Sequence, residues 1–121
     1  MNDEEFEQAV SQALDELPPD FADRLENVQV VVKEVPSPGE LQARGIAGGT
    51  LLGLYEGIPL SRRGLGYTLV MPDKITIYRK PILDMCARTG EFAPQVIRRV
   101  VLHEIAHHFG IPDYRLRELG Y

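Results

Sequence analysis

Three observations predict an α+β fold for this 121-residue chain. An amphipathic helical pattern occupies the N-terminus. Three short runs of strand character follow it, separated by turn-rich stretches. A long helical pattern then comes near the C-terminus and holds all three histidines, His103, His107 and His108, within six residues. At this length one domain, residues 1–121, is expected, large enough for a core of its own.

Residues 2–17 repeat apolar side chains at helical spacing through Phe6, Ala9, Val10, Ala13, Leu14 and Leu17. Asn2 can cap this helix, acids fill its first turn, and Pro18 with Pro19 ends it. A second short helix is expected over residues 20–26. Residues 28–35 are rich in valine and bounded by Asn27 and Pro36, which marks a strand. Two prolines and four glycines in residues 36–50 predict an irregular loop. Residues 51–55 form a second strand, with Gly53 at a bulge or a close backbone approach. Residues 56–72 are a turn-rich excursion with Arg62 and Arg63 at its middle.

Residues 74–79 alternate polar and apolar, as a half-buried strand does. Pro81 starts a short helix over 82–88, which Thr89-Gly90 breaks. Pro94 suits the first turn of the next helix, which runs from 91–94 to Phe109. A last helical turn is expected over 114–119.

Composition narrows the classes. Hydrophobic content of 44% and charged content of 26% are those of an ordinary soluble globular protein. No apolar run is long enough to cross a bilayer, and the acidic N-terminus lacks signal-peptide character, so no membrane partner is expected. Cys86 is the single cysteine, which excludes an intramolecular disulfide and fits a cytoplasmic location. The net charge of −5 is uneven: residues 1–26 carry nine acids and one base, the remainder nine acids and twelve bases. The acidic segment either docks on the basic body or is a solvated face, and the second reading is favoured because exposed pairs contribute little. The acidic balance argues against a nucleic-acid partner.

The chemistry concentrates in residues 101–113, V-L-H-E-I-A-H-H-F-G-I-P-D. His103 and His107 stand one helical turn apart and leave the same face. Val101, Leu102, Ile105, Ala106 and Phe109 fall on a core-facing side; His103, Glu104 and His107 fall nearly opposite, at about 100° per residue. Two neutral imidazoles at this spacing suit Zn²⁺, and the intervening Glu104 suits a general base. With three histidines and one cysteine, an open hydrolytic site fits better than a closed structural one. Gly110 and Pro112 force a turn after Phe109 that can bring Asp113 back as a third ligand. Asp113 has a rival role, capping the turn that follows it; Glu118 or a water are alternative ligands. His108, rotated off the ligand face, has a packing, surface or ligand-orienting role. Tyr67, Tyr78, Tyr114 and Tyr121 are candidate oxyanion donors among which sequence does not choose.

The run His103 to Asp113 resembles the zincin metallopeptidases, and in its longer form the metzincin pattern H-E-x-x-H-x-x-G-x-x-H/D. With residues 51–60 and 72–78 it is similar to a small bacterial family of zinc metallopeptidases with a matrix-metalloprotease-like domain, the minimal zincins. The resemblance implies a small mixed sheet of three to four strands packed on the active-site helix. It also implies Zn²⁺ held by His103, His107 and Asp113, with Glu104 as base and a peptide or protein substrate. By the same resemblance, residues 75–79 offer a strand edge to an extended peptide. Metzincins carry a methionine turn after the motif, whereas Met1, Met71 and Met85 all precede it.

Two other readings stay open: a catalytically weak, metal-containing peptide-binding module, and a metal-dependent nuclease. Known nucleases with similarly spaced histidines place glycine where this chain has Glu104. The oligomeric state is not legible.

Overall fold

The computed structural model describes residues 1–17, 19, 28–45, 49–57, 73–111 and 114. Its elements are α1 (Asp3–Asp15), β1 (Val28–Lys33), α2 (Pro38–Ala43), β2 (Gly53–Glu56), β3 (Asp73–Tyr78), α3 (Arg79–Thr89) and α4 (Ala93–His108). The architecture is α+β, a mixed three-stranded sheet with helices, as expected. The expected helix at 20–26 and the final turn after Tyr114 lie outside the described residues, as does most of the excursion, including Arg62 and Arg63.

α1 begins in a capping box. The Asn2 side chain accepts from the Glu5 backbone N–H at 2.8 Å, and Glu5 accepts from the Asn2 N–H at 3.0 Å. Asp3, Glu4 and Glu5 in the first turn also suit the positive end of the helix dipole. Its stripe of Phe6, Val10 and Ala13, continued by Leu17, is buried. These side chains meet Ile75, Ile77, Ile82, Val96, Ile97, Val100, Val101 and Ile105 in one apolar core. Asp3 reaches Arg79 at 2.9 Å and Glu16 reaches Arg98 at 3.6 Å. Both carboxylates are exposed, so these pairs add little to the apolar contact that seats the helix.

The sheet has the order β1-β3-β2. β1 runs parallel to β3, from Val28 beside Asp73 to Lys33 beside Tyr78. β2 runs antiparallel to β3, from Gly53 beside Ile77 to Glu56 beside Lys74. The alternation in residues 74–79 predicts a half-buried strand, but Ile75, Thr76, Ile77 and Tyr78 are all fully buried. β3 is the central strand: Ile75 and Ile77 enter the core, and Tyr78 on the other face is buried and hydrogen-bonded to Glu40 of α2. Its place between two partners also corrects the expectation that it offers an edge to a peptide. Among the described residues the outer strands are β1 and β2.

Residues 38–43 correct the loop expected over 36–50. The Ser37 hydroxyl accepts from the Glu40 N–H at 3.1 Å, Glu40 accepts from the Ser37 N–H at 2.8 Å, and Pro38 opens the helix. That capping box and a pre-set proline outweigh the breaker residues around them. Glu40 also accepts from the Tyr78 hydroxyl at 2.8 Å and pairs with Lys33 at 3.3 Å, which ties α2 to the sheet. Burial alone would raise its carboxyl, yet the Ser37 N–H, the Tyr78 hydroxyl and the Lys33 ammonium bring it from 4.5 down to about 2. Burial, aided by that carboxylate, pushes the Tyr78 hydroxyl up.

α3 starts at Arg79, before the expected Pro81, and stops at Gly90, whose φ of 76° only glycine adopts readily. α4 follows with Pro94 in its first turn. No helix among the described residues is long and apolar enough to cross a membrane.

Candidate metal centre

α4 carries the motif and is held on two sides, by α1 and by β2. Its C-terminus closes in a Schellman motif: the Ile111 N–H donates to the Ala106 carbonyl at 3.0 Å, and the Gly110 N–H to His107 at 2.9 Å. Gly110 has φ 77°, so the turn expected after Phe109 is present. Pro112, Asp113 and Glu118 lie outside the described residues; the third-ligand expectation for Asp113 concerns a residue not described.

The helix brings His103 and His107 together as the spacing requires, with ring centroids 4.8 Å apart and planes at 78°. Both are half-buried. One ligand atom from each of His103, Glu104 and His107 lies within 4.8 Å of the other two. Two imidazole nitrogens and a carboxylate oxygen, so gathered, suit a divalent transition metal and Zn²⁺ in particular.

Glu104 departs from the sequence picture in one respect. Instead of lying on an open face it is 5% exposed, tucked under the start of β2. Gly53 makes this possible. A Cβ there would stand 2.9 Å from Glu104 Cγ and 3.0 Å from Val100 Cγ1, closer than side chains tolerate. Of the two roles expected for Gly53, the close backbone approach is the one realised.

His108 projects to the other side and is fully buried. Its Nδ1 lies 2.9 Å from Asp73 Oδ2, and the Tyr55 hydroxyl donates to the same oxygen at 2.7 Å. The Tyr55 and His108 rings meet edge to face, with centroids 5.9 Å apart. Gly57 closes over Asp73: its φ is 153°, and a Cβ there would fall 2.5 Å from Asp73 Oδ1. This network joins the end of α4 to the start of β3 and to β2. Sequence reasoning singled out neither Asp73 nor Tyr55; the signal was a histidine, His108, on a face otherwise read as apolar. Of the four tyrosines proposed as oxyanion donors, Tyr78 is committed to Glu40 and Tyr114 is 63% exposed. Tyr67 and Tyr121 lie outside the described residues.

A cleft of about 370 Å³ opens beside the cluster, between α4 and the segment entering β2. Leu51, Leu52, Gly53 and Val100 give it apolar lining, His103 and Glu104 also line it, and Arg44 and Arg99 bring two arginine side chains to it.

Comparison with known proteins agrees with this geometry. A family model described as zincin-like metallopeptidase matches residues 25–121. A search of the curated proteins finds no match. Among solved structures, a conserved hypothetical protein from Thermus thermophilus is 27% identical, with a TM-score of 0.59. The match covers 90% of this chain and 94% of that one.

Proposed function

The chain belongs to the zincin-like metallopeptidases, and from that membership we propose that it is a zinc-dependent hydrolase of peptide bonds. The observation that carries this reading is the convergence of His103, Glu104 and His107 within 4.8 Å. His103 and His107 would hold Zn²⁺, with Asp113 as the third ligand. When bound, the ion supplies Lewis acidity and makes water acidic enough to lose a proton near neutral pH.

The protein's own part falls to Glu104. Its carboxylate accepts a proton from the attacking water and delivers it to the leaving nitrogen as the peptide C–N bond breaks. Burial beneath Gly53 holds it beside the two imidazoles and limits its freedom to wander. β2, an outer strand among the described residues, lies next to the cluster and would offer backbone groups for an extended peptide to pair with. A cytoplasmic location, proposed on the single cysteine, is compatible with this reading.

Glu104→Ala is the direct test. It should keep about one zinc per chain by elemental analysis, yet cleave a responsive peptide slower by a factor of about 10² to 10⁴. Hydrolysis at the parent's rate would sink the mechanism. The same digest separates the alternative reading, a metal-containing peptide-binding module. It predicts saturable peptide binding without cleavage.

A further inference from the structure

We propose that the cleft beside His103 and Glu104 selects peptides with an acidic side chain next to the bond that is cut; the inference rests on the hydrolase reading above. Among the described residues lining the cleft, two are cationic, Arg44 and Arg99, and the one carboxylate is that of Glu104, which is buried. Arg99 precedes His103 by four residues on one helix face, about 6 Å along the axis. The long arginine side chain and the shorter aspartate or glutamate side chain of a peptide held at the cluster can together bridge that distance. Leu52 and Val100 also line the cleft and suit a methylene stem.

Arg99 already meets Glu91, Nη2 to Oε2 at 3.0 Å, but the two side chains are 51% and 39% exposed. An exposed pair of this kind is worth little, and it engages one of five guanidinium N–H donors. A substrate carboxylate can therefore share Arg99 with Glu91. Arg44, at the C-cap of α2, is exposed and also lines the cleft. A lysine in the same place would meet two like charges. A leucine would pack on the apolar lining while stripping water from guanidinium groups it cannot satisfy.

The test uses zinc-loaded protein and two quenched fluorogenic peptide pools, alike except that glutamate flanks the central bond in one and glutamine in the other. The glutamate pool should be cleaved with a kcat/KM about tenfold higher, the size of one charge-assisted contact. That ratio should shrink as ionic strength rises. Arg44→Gln with Arg99→Gln should bring the ratio to about one. Arg44→Glu with Arg99→Glu should reverse the preference in favour of a lysine pool; both positions are exposed, so folding does not stand in the way. Equal cleavage of the two pools by the parent, or a preference that survives the double variants, overturns the inference and leaves the hydrolase reading standing. Binding of the same peptides, labelled, to zinc-loaded Glu104→Gln protein by fluorescence anisotropy separates the remaining case. No cleavage by the parent, with tighter binding of the glutamate pool that the double variants abolish, supports the selectivity and overturns the hydrolase reading. Equal binding of both pools overturns the selectivity.

Discussion

His107 and His108 are neighbours in the chain, and a helix turns them about 100° apart. That rotation gives them opposite surroundings. His107 is half-buried beside His103, with its ring near a carboxylate and within reach of an exchanging ion. His108 is sealed from water and fixed by Asp73 and Tyr55 to the two strands beside the helix. The contrast teaches how a small protein presents ligands: one side of the helix is locked by buried polar contacts, so that the other can hold donors steady at a surface. A ligand needs access, whereas an anchor needs none.

Replacing each histidine in turn should split two measurements, and this is the largest effect expected. His107→Ala should lose the roughly one zinc per chain while the metal-free protein keeps its stability to within about 1 kcal/mol. His108→Ala should cost about 2–4 kcal/mol in urea unfolding, because it empties a fully buried position and removes one partner of the buried Asp73 side chain, and the folded fraction should still take up zinc. A His108→Ala protein as stable as the parent would dissolve the contrast.

Gly53→Ala sharpens the comparison from the sheet side. The new methyl group meets Glu104 Cγ and Val100 Cγ1, so β2 must shift away from α4 at a cost of about 1–3 kcal/mol. Hydrolysis should fall further than the loss of folded protein explains, since the shift reaches Glu104. A drop in activity no larger than the folded fraction dictates would mean that the close approach serves packing alone.

The smallest effect belongs to Glu40, which anchors α2 rather than the site. Its carboxyl titrates at about 2 in the folded protein against 4.5 ordinarily. The group therefore contributes stability that is complete above 4.5 and disappears as pH falls through about 2. Glu40→Gln should flatten the pH dependence of unfolding free energy across that window and leave zinc uptake at neutral pH unchanged. An identical acid profile in the variant would place the dependence on another carboxyl.

The parts of this molecule that were legible in sequence are those set by local geometry. His103 and His107 meet because a helix repeats every turn, and Asn2 and Gly110 end their helices through contacts a few residues away. Gly53 was readable as a close approach, though not what it approaches. Helix α2 was hidden by counting breakers instead of reading Ser37 to Glu40 as a cap. What was not legible depends on pairing at long range. Nothing local places β3 in the centre of the sheet, and nothing near His108 points to Asp73, 35 residues earlier.

The parallel contact of β1 with β3, Val28 beside Asp73, has a bearing on how the molecule comes into being. Parallel strands cannot zip up from a tight hairpin, so β1 must wait for a distant partner and remain a bare edge meanwhile. The helix bearing the histidines is made later still. A ribosome-bound chain that has reached only β1 thus holds an unsatisfied template for aggregation and none of the three cluster residues. The gathering of His103, Glu104 and His107 leans on a sheet that is completed only when its central strand arrives.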